Sequence, residues 1–269
     1  MTPQQFRRTV WRHFRTEGRH DLPWRTTEDA YRILVSEVML QQTQVERVIP
    51  FYTAFLKKFP TVRKLADAPL SSVLQSWQGL GYNRRAKMLH EAVKVVVREH
   101  KGRMPTDIAT LESLPGVGSY TARAVAAFST NTDSIFIETN IRTAVTHHFF
   151  SGREQVADAE VIAILEQLYP KGKAREWYAA LMDYGSYLKR SGVRVNARAK
   201  GYAKQKEFAG SAREARGQVL KSLIAGPKTA RALTSLLGPE RKEQMEVQLA
   251  ALASEGLIEK KGGKYQLPD

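Results

Sequence analysis

Two glutamates in apolar surroundings are the residues of this chain best suited to chemistry. Glu138 ends the apolar run Ile135-Phe136-Ile137 in IFIETNIRTAV, and helical spacing begins with Thr139 and Asn140. The run anchors a segment that sets an acid at the mouth of a helix. Glu37 lies in RILVSEVML, among Leu34, Val35, Val38 and Leu40. Desolvation there would raise its pKa and suit a general acid. The same residue also fits an exposed polar face shared with Ser36 and Gln41, and spacing alone favours that second reading. A third stretch, LPGVGS, offers no acid but a cradle. Leu114 and Pro115 close one helix, Gly116-Val117-Gly118 turns, and Ser119 or Tyr120 opens the next. Paired glycines permit positive φ and a close backbone approach. The N–H groups at a new helix start form an anion site, which can hold a DNA phosphate without reading sequence.

The elements that must carry these residues are almost all helical. Apolar spacing with Gly and Pro breaks predicts helices near 3–17, 28–43, 46–58, 61–67, 70–77, 82–100, 107–112, 119–130, 139–149, 156–168 and 173–187. Short connections suit a compact all-α domain. No segment reaches about 18 consecutive apolar residues, so no membrane span is expected. The N-terminus is basic without an apolar core, which reads as a folded helix and not a secretory signal. Cysteine is absent from the 269 residues, which excludes disulfides, thiolate-bound zinc and Cys-ligated iron–sulfur clusters. A cytoplasmic protein is the default expectation. The formal net charge of +15 suits a polyanion, nucleic acid before membrane.

Composition changes at KRSGVRVNARAKGYAKQK, residues 189–206, which holds seven basic residues and no acid. It reads equally as a solvated linker or as a strip along phosphates. Residues 211–269 read as a separate unit. Helices near 212–225, 228–236 and 240–254 precede two short strands around Gly262-Gly263, a hairpin turn signal. Three helices and a hairpin make a winged helix-turn-helix pattern. Its third helix offers Arg241, Lys242, Gln244 and Gln248 to a groove, and its hairpin offers Lys260, Lys261 and Lys264 to a backbone. Winged helices also dock proteins, and ten basic against seven acidic residues over 213–269 is a small excess.

Several strings, in order, resemble the helix-hairpin-helix (HhH-GPD) DNA glycosylase superfamily, and MutY-type adenine glycosylases within it. They are DLPWR (21–25), YRILVSEVMLQQTQVERVIPFY (31–52), FPTVRKLADA (59–68), VLQSWQGLGYNRRAKMLH (73–90), LPGVGSYTARAV (114–125), IETNIRT (137–143) and ALMDYGS (180–186). The resemblance covers about residues 6–187. It implies a two-lobed core over 1–205: a six-helix barrel lobe over about 27–132, a second lobe of 1–26 with 133–205, and a cleft between them. The implied chemistry is N-glycosidic bond cleavage on a flipped-out nucleotide, for which two carboxylates are suited. Glu37 matches the glutamate that protonates adenine, and this reverses the exposed reading. Tyr120 matches an active-site tyrosine where bifunctional relatives place a Schiff-base lysine, which implies a monofunctional enzyme. Asn140 matches an asparagine beside the second carboxylate. Gln42 matches a residue inserted into the base stack, with Thr43 and Leu80 near it on the DNA face. The expected partner is double-stranded DNA with a lesion or mismatch, bound by a monomer in a bacterial-type nucleoid without membrane association. No cofactor is expected.

Four departures accompany the resemblance. Glu138 stands where the family has aspartate, which displaces the carboxylate by about 1.5 Å, and an error near 1 Å can cost roughly a hundredfold in rate. The four cluster cysteines after Gly185 are missing. Asn83 stands where an aromatic wedge is common. The winged helix replaces a Nudix-like domain that reads 8-oxoguanine. Adenine is therefore the first expected substrate, thymine or uracil opposite guanine the second, and an alkylated or bulky base the third. A non-catalytic DNA-binding protein on the same scaffold is the alternative from another class.

Overall fold

The structure, a computed structural model, describes residues 1–195 and 207–269. Its first eleven helices are α1 (Pro3–Glu17), α2 (Ala30–Leu40), α3 (Val45–Lys58), α4 (Val62–Ala66), α5 (Leu70–Trp77), α6 (Arg84–Glu99), α7 (Ile108–Ser113), α8 (Ser119–Thr130), α9 (Thr139–Phe149), α10 (Asp158–Leu168) and α11 (Ala174–Arg190). Contacts divide the chain into two compact units. One holds Met1–Glu37, Pro105–Ser113 and Val117–Lys204; the other holds Val38–Met104, Leu114–Gly116 and Gln205–Asp269. Helices α7 and α8 group with α9 to α11, and the C-terminal segment groups with α3 to α6.

The first unit is built on α1, α8, α9, α10 and α11. Phe6 and Val10 of α1, Ile141 and Val145 of α9, Leu165 of α10 and Trp177 of α11 are all within 1% of full burial. Helix α1 starts on a capping box, with Thr2 and Gln5 satisfying each other's backbone N–H, a local signal strong enough to fix its first turn. Helix α8 stops at Asn131, whose φ of 56° is a left-handed cap that asparagine tolerates.

The second unit packs α3 to α6 around Phe55, Leu65, Trp77, Leu89 and Val96, each 2% exposed or less. Ala86, Leu89, Val93 and Val96 repeat at helical spacing along α6 and bury one stripe, as an amphipathic helix must. The C-terminal segment adds α12 (Ala212–Ile224), β1 (Lys228–Thr229), α13 (Ala230–Thr234), a short 3-10 turn at Pro239–Arg241, α14 (Lys242–Ser254), β2 (Glu259–Lys261) and β3 (Lys264–Gln266). The strands form one antiparallel sheet in the order β1-β3-β2. Sequence pattern had shown only the hairpin, because β1 is two residues long and carries no alternation to detect. Gly262 and Gly263 hold φ of 56° and 78° at the hairpin tip, values a two-residue turn of this kind demands.

Candidate active site

Helix α2 is buried all round from Ile33 to Met39, and Glu37 lies within that stretch. It is 6% exposed, among Leu34 and Val35 at 0% and Val38 at 5%. The polar-face alternative is thereby excluded, and Ser36 is buried as well, its hydroxyl donating to the Ile33 carbonyl at 2.7 Å. The Tyr120 hydroxyl donates to Glu37 Oε2 at 2.9 Å. Burial pushes the Glu37 carboxyl up to about 7, and the charge of Glu138 pushes the same way. The Tyr120 hydrogen bond and the Arg25 charge oppose the shift without cancelling it. Burial and the nearby Glu37 charge raise the Tyr120 phenol well above its ordinary value, so it remains a donor at any physiological pH.

The apolar run before Glu138 has a definite task. Phe136, 4% exposed, stacks on Tyr178 with ring centroids 3.6 Å apart and meets Tyr120 edge-on at 5.7 Å. Its N–H donates to the Tyr178 hydroxyl at 3.2 Å. This pins the strand-like approach to α9 two residues before the acid. Glu138 then caps α9. Its Oε1 accepts from the N–H of Asn140 at 2.7 Å and of Ile141 at 2.8 Å, the orphan donors of a helix start. The extra methylene lets the chain curl back onto its own helix, which a shorter aspartate cap does more directly. Burial raises the Glu138 carboxyl, although its bonds to Asn140 and Ile141 and the Lys189 charge pull the other way. With Oε1 committed to the backbone, Oε2 keeps one long contact, from Asn140 Nδ2 at 3.3 Å.

Asn140 is oriented from both ends. Its Nδ2 faces Glu138, and its Oδ1 accepts from Lys189 Nζ at 3.0 Å. Lys189 belongs to the basic run read as a phosphate strip or linker; as the last turn of α11 it serves this network instead. The rest of that run from residue 196 onward lies outside the described residues. Gly185, one turn earlier in α11, explains the close fit. A Cβ there would lie 1.9 Å from the Asn140 carbonyl oxygen, so α11 reaches α9 only because position 185 lacks a side chain. The same helix carries Asp183, 2% exposed, bonded to Arg19 Nε at 2.6 Å and to Arg25 Nη1 and Nη2 at 2.5 and 2.9 Å. Burial opposes its charge, yet the Arg25 bond and the two cations hold it below the usual carboxylate range. Arg25, Asp183 and Lys189 stand in stretches that the sequence singles out, but their pairing is not legible there, because nothing local marks a partner 158 residues away for Arg25 or 49 for Lys189.

The DNA-facing candidates divide. In the hairpin, Gly116 has φ of 73° and a Cβ would strike Met88 at 2.4 Å, so glycine is required there. Gly118 has φ of −86° and open space around its Cβ position, so its conformation does not require glycine. Ser119 is exposed and shares its hydroxyl with Arg123, while Val117, 5% exposed, offers backbone only. Gln42 is exposed at φ of 55°. Thr43 accepts from Arg85 Nη2 at 3.3 Å. Leu80 corrects its expectation: at 5% exposure its side chain fills the core and leaves the surface to Tyr82 and Asn83. Arg241 is tied to Glu214 at 2.7 Å and Gln244 at 2.9 Å, and Lys242 shares α14's exposed face with Glu243 and Glu246. Lys260, Lys261 and Lys264 are exposed at the hairpin.

Residues 35–174 match the HhH-GPD superfamily of base excision DNA repair proteins. The adenine DNA glycosylase of Mycolicibacterium smegmatis is 35% identical over 93% of this chain and 92% of its own length. That of Mycobacterium tuberculosis is 40% identical over 62% of this chain, which spans 56% of that relative's length. A thermostable thymine-DNA glycosylase superposes with a TM-score of 0.62 at 30% identity, covering 68% of this chain and 86% of its own. An endonuclease III trapped on DNA shares the fold at a TM-score of 0.59 and 21% identity, covering 70% of this chain and 87% of its own.

Proposed function

We propose that this chain, which belongs to the HhH-GPD superfamily of base excision DNA repair proteins, is a monofunctional glycosylase that excises adenine from mispaired duplex DNA. The observation that carries the reading is Glu37, a buried carboxyl raised to about 7 and held by a tyrosine hydroxyl. Such a group is partly protonated near neutrality and matches the demand on a general acid. In the proposed reaction Glu37 gives its proton to the purine as the C1′–N bond breaks and the bonding pair leaves with the base. Glu138 Oε2 faces the cationic sugar that results, as a second carboxylate does in glycoside hydrolysis. Water adds at C1′ and loses its proton to a carboxylate, which closes the balance.

Purine excision also fits the adenine glycosylase relatives. A second reading, removal of thymine opposite guanine, has the thymine-DNA glycosylase likeness behind it. The absence of lyase chemistry rests on Tyr120, whose hydroxyl engages Glu37 where a Schiff base would need an amine.

A single-turnover assay on duplexes bearing A:8-oxoG, A:G, T:G, U:G and alkylated bases tests these readings. Alkali-cleavable product from the adenine duplexes, lost in Glu37→Gln, is the expected result. Product from T:G alone selects the second reading. No product from any duplex, with binding intact, returns the chain to a non-catalytic role. Borohydride should trap no covalent DNA adduct; an adduct would overturn the monofunctional assignment.

A further inference from the structure

Within the second unit, the C-terminal segment makes its charged contacts inward. Lys87 of α6 donates to the Glu255 carbonyl at the end of α14. Glu255 in turn holds Arg216 by two bonds of 2.7 and 2.9 Å. The Ser71 N–H of α5 donates to the Pro268 carbonyl at 2.9 Å. Meanwhile the outer face of α14 carries Lys242, Glu243, Glu246 and Val247, with Lys242 paired to Glu246 at 3.9 Å, and a face with two acids, one cation and an exposed apolar residue is poorly suited to a phosphate-lined groove. A reader of DNA sequence would be arranged the other way round.

Within the same unit this segment also contacts the loop before α6, at Tyr82. Tyr82 and Gln42 are two of the four non-glycine residues with left-handed φ among the described residues, at 49° and 55°. Left-handed backbone at a bulky residue is strained and persists only where surroundings over-determine it. Arg85 supplies much of that determination. It donates to the carbonyls of Val38, Met39 and Gln41 at the end of α2 and to that of Gly81, and its guanidinium lies 5.4 Å from the Tyr82 ring centroid. Arg47 holds the Gly79 carbonyl of the same loop. One arginine thus ties the Gln42 turn to the Tyr82 loop. A second guanidinium reaches the ring from the C-terminal segment. Arg213 of α12 lies 5.8 Å from the Tyr82 centroid and donates to its hydroxyl at 3.3 Å.

We propose that Arg213 is a positioning residue that clamps Tyr82, so that the C-terminal winged helix serves as a brace for the DNA-facing Gln42 and Tyr82 loops and not as an independent DNA reader. Cation–π attraction and the hydroxyl bond act on the same ring, which fixes its orientation at little entropic cost because Arg213 is itself anchored on a folded helix. The ring is then presented rigidly to the duplex instead of sampling rotamers. The inference rests on the family assignment for the partner, duplex DNA, and is independent of which base is excised.

The test uses the full chain with Arg213→Ala, Arg213→Lys and Tyr82→Phe. Amide hydrogen exchange at residues 79–83 should quicken about tenfold in Arg213→Ala and less in Arg213→Lys, which keeps a cation over the ring. Exchange in α14 should stay unchanged, which establishes that the segment remains folded. Affinity for a mismatched duplex should fall about fivefold in Arg213→Ala, with a smaller loss in Tyr82→Phe, which removes the hydroxyl alone. Unchanged exchange at 79–83 overturns the clamp. Altered exchange with unchanged duplex affinity overturns its role in recognition. Neither readout requires excision, so failure of the adenine assignment would leave this test intact.

Discussion

At the scale of single residues, the proposed acid Glu37 couples stability to pH. Its carboxyl is raised above the ordinary 4.5 to about 7, so the folded state binds a proton that the unfolded chain has lost between those values. Stability from this group is therefore complete below about 4.5 and declines as pH rises through about 7, by roughly 3 kcal/mol in all. Glu37→Gln is expected to abolish excision and yet melt higher than the parent at pH 8, with the gap closing toward pH 5; thermal melts across that range check it. Excision by the parent should decline above pH 7 as the acid ionises. Lys189 acts on the other carboxyl. Removing its charge in Lys189→Met lets the Glu138 pKa rise further and frees the Asn140 amide. The acidic limb of the pH–rate profile should then move upward, and the single-turnover rate should fall about tenfold; a fall in rate without movement of that limb would mark Lys189 as structural only. Glu138→Asp should keep the helix cap, since aspartate is a favoured cap, while displacing the carboxylate. Preserved melting with an altered excision rate is the expected pair of results.

At the scale of elements, the site depends on helices meeting more closely than side chains ordinarily allow. Gly185 is the point of contact between α11 and α9. Gly185→Ala places a methyl 1.9 Å from the Asn140 carbonyl oxygen, which backbone must move to relieve. Overpacking of this kind costs about 1–3 kcal/mol or more, and it displaces the very residue that orients Glu138. The expected outcome is a lower denaturation midpoint together with an excision defect larger than the stability loss explains. Asp183 works at the same scale, binding the loop that follows α1 to α11 through Arg19 and Arg25. Breaking such a buried pair by Asp183→Asn leaves guanidinium groups uncompensated, at about 3–5 kcal/mol. The string DLPWR and the string ALMDYGS each stood out in the sequence, but only contact shows that they are one device.

At the scale of the whole molecule, a net charge of +15 is spread over a protein whose catalytic candidates are acids. Affinity for duplex DNA should fall linearly with salt on logarithmic axes, with a slope near −0.9 per phosphate contact. Filter binding between 50 and 200 mM salt measures it, those limits being a convenient range of roughly that span, and a flat response would assign the basic charge to solubility alone.

Much was legible in the sequence. Helix positions followed from apolar spacing and Gly/Pro breaks, because a period of 3.6 survives in any window long enough to hold two turns. The four candidates Glu37, Tyr120, Glu138 and Asn140 come from motif order, and within one unit the structure bonds Tyr120 to Glu37 and Asn140 to Glu138. Burial was not readable. Spacing alone put Glu37 on a wet face, since the side of a helix that faces its neighbours is decided by those neighbours. Leu80 went the other way for the same reason. Nor could any local pattern show that Lys189 serves Asn140, that Gly185 makes room for it, or that Arg213 reaches Tyr82 from 131 residues away. Sequence determined which elements form and which chemistry they carry, because those depend on neighbours within a few residues. The tertiary structure alone decided protonation, orientation and strain, because each depends on groups brought close only by folding.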